Sequence, residues 1–472
     1  MIDLKTFIFI ICFITSQLFA QNSCVQNFKE KYNAGEYNSA ITISQNCAEI
    51  DENPELLYFK TRSLMFLEEY DKAITNYHTL LKTDSNNVDY LNGLGAGYYL
   101  SDQDDSAFYY YSLVLQQDPN HVNALKNRTL LYVRKSEFEK AITDIKTLLT
   151  IEPNNSDYWA DLGDAYSFSG MYPESLEAYD KALTINPNNS NAYLGKAEHY
   201  LNTDDYENAM LYVEKGIDVN PNEPLLYEIK GDIYYYQDDL HFQDAKKAYL
   251  NSFNLKEDAD VAYYIGLCYE ELSNENQAII YYQKAIKLGI EDADCYADLA
   301  YLLMNNEDYE NALDLLEKAI KIDAEDDFTH GLMAEIFLEL EQYQKAIESY
   351  TKAIEYDMGF NWYQIDRGLA YEMNGNSEAA IADYTTSINN NVYVDEAYLL
   401  RSNAYLSQKN YELAKADLDE FIAVNDDYGI AFMNRAACHH KLGNSVAACE
   451  DMQSAASLGE EDAKAYIKKF CQ

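Results

Sequence analysis

Residues 156–189, SDYWADLGDAYSFSGMYPESLEAYDKALTINPNN, decide the fold of this 472-residue chain. The stretch carries small residues twelve positions apart at Gly163 and Ser175, and a large aromatic residue at Tyr166. Pro187 stands near its end, where a proline stops one helix before the next begins. This alternation of small and large residues predicts two antiparallel helices that interlock.

The same pattern recurs along almost the whole chain with a period of about 34 residues. The positions equivalent to Ser175 are otherwise all alanine: Ala40, Ala73, Ala107, Ala141, Ala209, Ala245, Ala278, Ala312, Ala346, Ala380, Ala414 and Ala448. A second column, twelve residues upstream in most repeats, is small throughout, and a third column three residues further on is mostly aromatic. Such regularity predicts a stack of helical hairpins in which each pair packs on its neighbours.

This repeat resembles the tetratricopeptide repeat. The fifth unit matches that family best, through Trp159, Leu162, Gly163, Tyr166, Ser175 for the usual Ala, Tyr179, Ala182 and Pro187. The resemblance covers residues 21–462 as thirteen units, and residues 463–472 are similar to the family's capping helix. It implies an all-α, right-handed superhelical solenoid whose concave groove binds peptides or protein segments. Two extra residues near positions 237–242 of the seventh unit are interpreted as a longer turn.

The first twenty residues are predicted to be a secretory signal peptide. Residues 6–14, TFIFIICFI, form an apolar run that follows Lys5 and is too short to cross roughly 30 Å of hydrocarbon as a helix. This suits the apolar core of a signal peptide with cleavage after Ala20, and an uncleaved anchor is the alternative. We expect a protein exported to the periplasm, to the cell surface or to the medium.

Composition and motifs exclude several classes of function. The chain has 80 Asp and Glu against 35 Lys and Arg, a formal charge of −45, so binding to nucleic acid or directly to anionic lipid is not expected. No phosphate-binding loop, dinucleotide-binding loop, zinc protease motif or nucleophile elbow occurs in the sequence. The repeats leave no room for a separate catalytic domain, so we predict no enzyme, no catalytic residue and no cofactor.

Cysteines near the two ends of the repeat are candidates for disulfide bonds. Facing positions in a helical hairpin have a nearly constant index sum, which brings Cys24 level with Cys47 and Cys438 level with Cys449. Cys471 on the capping helix also comes level with Cys449, and we favour Cys471 ahead of Cys438 as its partner. Disulfides at both ends are plausible in an oxidising compartment, because terminal units have only one neighbour. Buried unpaired cysteines are the alternative, and a zinc site that includes Cys438 is a weaker one because no CxxC pair is present.

The family resemblance places the ligand groove on the first helix of each unit. The groove positions there are rich in carboxylates and tyrosines, and the candidate residues are Asp161, Asp164, Glu198, Glu228, Asp232, Tyr235, Tyr236, Tyr263, Tyr264, Asp298, Tyr301 and Glu335, with Trp362 and Asp366 on the same face. Acidic residues with interleaved aromatics suit a basic or polar extended peptide. The other interpretation is an acidic, soluble surface whose aromatics only pack between helices.

These observations predict a non-catalytic interaction scaffold that binds protein or peptide segments, basic ones among them, along an acidic, Tyr-rich groove. The alternative is a structural or assembly component of a cell-envelope complex for secretion, motility or surface glycan, which docks through the edges and ends of the solenoid. The sequence does not indicate an oligomeric state.

Overall fold

The structure is a computed structural model that describes residues 24–237, 241–356 and 362–471. Within these ranges the chain is helical and contains no strand. It divides into two compact units, one that ends at Ile233 and one that begins at Tyr234. The all-α repeat fold predicted from the sequence is therefore confirmed.

The helices follow one another as thirteen pairs, α1–α2 and then α4–α5 to α26–α27. The first unit holds α1 (24–33), α2 (Tyr37–Ser44), α3 (Glu49–Glu52), α4 (Pro54–Phe66), α5 (Tyr70–Thr83), α6 (Val88–Leu100), α7 (Asp104–Gln117), α8 (Val122–Arg134), α9 (Phe138–Ile151), α10 (Ser156–Phe168), α11 (Tyr172–Ile185), α12 (Ser190–Leu201), α13 (Tyr206–Val219) and most of α14 (Pro224–Gln237). The second unit holds the end of α14 and α15 (Phe242–Leu255), α16 (Ala259–Glu271), α17 (Glu275–Leu288), α18 (Ala293–Asn305), α19 (Tyr309–Ile322), α20 (Asp327–Glu339), α21 (Tyr343–Tyr356), α22 (Tyr363–Met373), α23 (Ser377–Asn389), α24 (Val394–Ser407), α25 (Tyr411–Val424), α26 (Gly429–Lys441), α27 (Ser445–Ser457) and α28 (Glu461–Phe470).

Local chemistry sets where many of these helices begin. The side chain of Asn155 accepts hydrogen bonds from the backbone N–H groups of Asp157 and Tyr158, which satisfies two donors at the start of α10. Equivalent Asn or Asp caps precede other first helices, at Asn53, Asn87, Asn189, Asp258, Asp292 and Asp326. Between the helices of the fifth pair, Gly170 has a φ of 72°, a left-handed conformation that glycine adopts without a steric penalty.

The space above the glycines is filled by a column of buried tyrosines. A Cβ on Gly163 would lie 2.4 Å from the ring of Tyr179, and one on Gly195 of the next pair would lie 2.3 Å from the same ring. Six tyrosines are among the largest fully buried side chains, Tyr111, Tyr179, Tyr249, Tyr282, Tyr350 and Tyr384. The large side chains that pack against the small residues of the first helices are therefore these tyrosines of the second helices. They are not the aromatic residues that stand three positions after each small residue on the same helix.

Enlarging Gly163 is expected to destabilise the fold. Gly163→Leu should cost about 1–3 kcal/mol in the free energy of unfolding, because a buried tyrosine ring already occupies the space that the new side chain needs. Urea unfolding followed by circular dichroism measures the change. Phe168→Leu on the exposed side of the same helix is the matched control and should stay within about 0.5 kcal/mol of wild type. A wild-type midpoint for Gly163→Leu would contradict this packing.

Four cysteines at the two ends of the repeat are bonded in pairs. Cys24 is joined to Cys47 with a Cα–Cα distance of 6.1 Å, and Cys449 is joined to Cys471 with a Cα–Cα distance of 5.7 Å. Cys438 is buried and unpaired, as are the other two cysteines among the described residues. No group of three or more His, Cys, Asp or Glu side chains suited to a metal ion is present in the described part of the chain.

The cysteine pairing gives a chemical prediction. When the protein is isolated from an oxidising compartment and digested without reduction, mass spectrometry should find the peptide of Cys24 linked to that of Cys47, and that of Cys449 linked to that of Cys471. Cys438 should react with an alkylating reagent only after denaturation, because the folded chain buries it. A link between Cys438 and Cys471 would contradict the pairing.

Several sequence predictions fall outside the described residues. The proposed signal peptide, residues 1–20, is among them, as is most of the inserted turn, for which the structure shows only that α14 ends at Gln237 and α15 begins at Phe242. The terminal helix α28 begins at Glu461, ahead of the predicted boundary at 463. None of the described helices is both long enough and apolar enough to span a bilayer.

Candidate functional site

The candidate residues lie on first helices, but they are divided between the two units. We call these surfaces the first acidic face and the second acidic face. The first comprises Asp161 and Asp164 of α10, Glu198 of α12, and Glu228 and Asp232 of α14. The second comprises Tyr235 and Tyr236 of α14, Tyr263 and Tyr264 of α16, Asp298 and Tyr301 of α18, and Glu335 of α20.

The first acidic face crowds carboxylates together. Burial raises the pKa of Asp164 to about 6, and the nearby charge of Glu198 adds to this, whereas a hydrogen bond of 2.7 Å from the Tyr179 hydroxyl opposes it. Burial also raises the pKa of Asp161 to about 6, and the charges of Asp164 and Asp157 raise it further, whereas the charge of Lys126 lowers it. Like charges so placed disfavour one another's ionisation. The face is therefore electrostatically strained at neutral pH.

A similar cluster surrounds Asp298 on the second acidic face. Burial raises the pKa of Asp298 to about 6, and the charges of Glu270, Asp294 and Asp292 raise it further. The Tyr263 hydroxyl donates a hydrogen bond of 2.8 Å to this carboxylate, which lowers the pKa. Tyr263 is thus committed to holding a carboxylate in place, and its hydroxyl faces an acidic neighbour, not open solvent.

The other tyrosines of the second acidic face contact one another. The ring of Tyr235 meets that of Tyr264 edge to face, with centroids 5.7 Å apart. The hydroxyl oxygens of Tyr236 and Tyr264 lie 3.1 Å apart, within hydrogen-bond distance. Tyr236 and Tyr301 both remain more than one third exposed. The face therefore combines tyrosines that pack against each other with tyrosines that offer surface to a ligand.

A pocket of about 620 Å³ opens between α20, α22 and α24 of the second unit. The sequence singled out three of its residues, Glu335, Trp362 and Asp366. The pocket is lined by Asp327, Phe328, Gly331, Leu332, Glu335, Trp362, Tyr363, Ile365, Asp366, Tyr393 and Glu396. Phe328 and Glu396 were missed although they occupy the same position in their repeats as Trp362. Tyr393 was missed because it precedes α24.

The last three helical pairs contain a series of buried ion pairs that was not predicted from the sequence, and we call this series the ion-pair ladder. Its arginines recur every 34 residues. Each arginine contacts an aspartate sixteen residues later through two hydrogen bonds of 2.7–3.0 Å, in the pairs Arg367–Asp383, Arg401–Asp417 and Arg435–Asp451. Each also donates to a residue sixteen positions earlier: Thr351, Thr385 and Asp419. The sequence feature that could have predicted these ion pairs is the arginine that stands one residue before the small residue of each first helix in these repeats.

Comparison with known families finds repeats of one kind. Models described as tetratricopeptide repeat match residues 156–189, 190–223, 332–389 and 399–464. A model described as subunit 3 of the anaphase-promoting complex, or cyclosome, matches residues 271–353. No curated protein sequence matches the chain.

Several solved structures match the chain at low sequence identity. A tetratricopeptide-repeat protein from Parabacteroides merdae is 22% identical, with a TM-score of 0.45, and the match covers 53% of this chain and 98% of that one. The Cut9–Hcn1 structure of the anaphase-promoting complex is 12% identical, with a TM-score of 0.41 and coverage of 97% and 98%. YrrB, described as a TPR protein with an unusual peptide-binding site, is 20% identical, with a TM-score of 0.37 and coverage of 40% and 97%.

Proposed function

The chain belongs to the tetratricopeptide-repeat family of protein-interaction scaffolds, and from this premise we propose that it binds basic protein segments in extended form along its acidic faces. The binding is non-catalytic. We further propose that residues 1–20 direct export, so that the partner is met outside the cytoplasm.

The observation that carries this proposal is the crowding of carboxylates on the first helices. Asp161, Asp164 and Asp298 each have a pKa raised to about 6, so at neutral pH each is charged in a setting that disfavours its charge. A bound cation would reduce the repulsion among these carboxylates. It would also meet negative charges that the fold already holds in position. An acidic surface that served solubility alone would gain nothing from carboxylates that repel one another.

Neutralisation of these carboxylates tests the proposal. The full chain carrying Asp161→Asn, Asp164→Asn and Asp298→Asn is compared with wild type in a pull-down from envelope extract of the source organism, washed with increasing salt. We expect a basic partner that wild type retains at low salt and that the variant loses. The matched control carries Glu139→Gln, Glu207→Gln and Glu310→Gln, three exposed carboxylates on second helices, and should bind as wild type does.

The salt series separates this function from a structural role. Exposed charge pairing is screened beyond about 8 Å at physiological ionic strength, so a partner held by the acidic faces should wash off as salt rises. A partner from a membrane complex that resists salt and binds the triple variant equally would overturn the proposal. It would favour the assembly role, with docking through the edges and ends of the repeat.

The raised pKa values also predict how stability depends on pH. A carboxyl whose pKa rises from 3.8 to about 6 on folding holds its proton more tightly in the folded chain, so its ionisation opposes folding above pH 6. That opposition builds up as the pH rises from about 4 to about 6 and largely disappears below 3.8, where the carboxyl is mostly protonated in both the folded and the unfolded chain. Asp164→Asn combined with Asp298→Asn should therefore raise the thermal midpoint at pH 7.5 and leave it nearly unchanged at pH 3.5. Equal effects at both pH values would contradict the prediction.

A further inference from the structure

We propose that the pocket between α20, α22 and α24 is a subsite for an arginine side chain of the bound segment. The proposal rests on the proposed function, because it assumes a protein ligand on the second acidic face. It adds a location and a residue type that neither the family nor the sequence pattern specifies.

The walls of the pocket present aromatic surface. Trp362 is 51% exposed and Tyr393 is 52% exposed, and their rings meet edge to face with centroids 6.1 Å apart. Phe328 is also largely exposed on the adjoining helix. An aromatic face attracts a cation placed within about 6 Å of its centre, and tryptophan attracts it most strongly.

Carboxylates surround the same space from three successive first helices. Asp327 and Glu335 lie on α20, Asp366 on α22 and Glu396 on α24. Burial raises the pKa of Asp366 to about 6, and the charge of Glu396 adds to it. Burial also raises the pKa of Glu335, and the charges of Asp366 and Glu339 add to it. Asp366 therefore repels both Glu335 and Glu396, and a cation bound among these three carboxylates would reduce that repulsion. Asp327 accepts a hydrogen bond of 3.4 Å from the Tyr363 hydroxyl.

The arginine next to the pocket in sequence, Arg367, is held by other partners. Arg367 follows Asp366 in sequence, but its guanidinium donates to both carboxylate oxygens of Asp383 at 2.8 Å and to the Thr351 hydroxyl at 3.2 Å. It is therefore committed to the ion-pair ladder. Arg367 is therefore not the cation that Glu335 and Asp366 would bind in this pocket.

The shape and lining favour arginine over lysine. A guanidinium is planar and weakly hydrated, so it stacks on an aromatic ring and donates to two carboxylates in the same plane, whereas an ammonium is compact and strongly hydrated. Leu332 and Ile365 supply apolar surface for the methylene stem. The floor at Gly331 is tight, since a Cβ there would lie 2.6 Å from the ring of Tyr363.

Tryptophan fluorescence reports directly on this pocket. The chain has two tryptophans, so Trp159→Phe leaves Trp362 as the sole indole. The full chain with this substitution is titrated with N-acetyl-Gly-Arg-Gly-amide, with the citrulline peptide as its uncharged counterpart and with the lysine peptide. We expect a saturable change in Trp362 emission with arginine, at least a fivefold weaker response with lysine and none with citrulline. Equal responses to arginine and citrulline would overturn the proposal.

A second measurement separates failure of the subsite from failure of the proposed function. Calorimetry with N-acetyl-(Arg-Ser-Gly)₈-amide at low salt measures binding of a long basic probe, and Glu335→Gln with Asp366→Asn should weaken it at least tenfold. The matched control, Glu310→Gln with Glu317→Gln on the exposed side of α19, should leave it unchanged. Long-probe binding that ignores the pocket variant refutes the subsite and leaves the proposed function standing. If the long probe does not bind while the tripeptide does, the proposed function fails, and the pocket is a site for a free arginine side chain and not a subsite for a bound segment.

Discussion

Arg401→Met is expected to destabilise the last three helical pairs by about 3 kcal/mol. Arg401 donates two hydrogen bonds, of 2.7 and 2.8 Å, to Asp417 and one of 2.9 Å to the Thr385 hydroxyl. Asp417 is only 5% exposed, so methionine would leave a buried carboxylate without its partner. Breaking a buried ion pair from one side costs roughly 3–5 kcal/mol, and the partial exposure of the arginine places this site near the lower end.

The measurement must resolve local unfolding. Neighbouring repeats can open separately, so hydrogen exchange of α23 to α25 is more informative than a single unfolding midpoint. Lys318→Met is the matched control, because its pair with Asp314 is exposed on both sides and contributes roughly 0.5 kcal/mol or less. Arg401→Met combined with Asp417→Leu should recover most of the loss, since two apolar groups replace two charges. Wild-type exchange in the single variant would contradict the role of the ladder.

Truncation of a buried tyrosine should have an effect of similar size. Tyr282 is fully buried, lies against Gly266 and donates a hydrogen bond of 2.7 Å to Glu270. Tyr282→Ala opens a cavity at the centre of the α16–α17 hairpin, and large-to-small changes of an aromatic residue cost roughly 3–5 kcal/mol. Urea unfolding and hydrogen exchange of α16 and α17 measure the loss.

A second variant separates the ring from its hydroxyl. Tyr282→Phe keeps the packing and removes only the donor to Glu270, so it should cost about 1 kcal/mol. If the two variants were equally destabilised, the hydrogen bond and not the packing over the glycine would dominate. That outcome would also weaken the explanation given for Gly163→Leu.

The helices could be predicted well from the sequence because each hairpin repeats the same local pattern of small and large residues. The alanine and small columns recur every 34 residues, and a repeated pattern is detected even when one unit departs from it, as Ser175 does. Capping by Asn155 and its equivalents is also local, since the cap and the helix it serves are adjacent in sequence.

The candidate site was predicted only in part, because its contacts join residues that are far apart in the chain. The pocket brings Phe328 of α20 beside Trp362, one repeat later, and Tyr393, almost two repeats later. Nor did the groove positions show that Tyr263 would donate to Asp298, 35 residues later. The position of a residue in its repeat identifies the helix face on which the residue lies. Which residue it contacts depends on the angle at which successive hairpins pack.

The arginine ladder has a consequence for how such a chain can change length. Each arginine of the ladder contacts one residue sixteen positions later and one sixteen positions earlier. The sequence separations are therefore the same in neighbouring helical pairs. A duplicated segment of 34 residues would therefore carry an arginine and both of its contact residues at the sequence separations that the neighbouring hairpins also use. Unequal recombination between copies of the coding repeat could insert or delete a whole hairpin without breaking an ion pair, and the protein's reach could evolve in steps of one repeat.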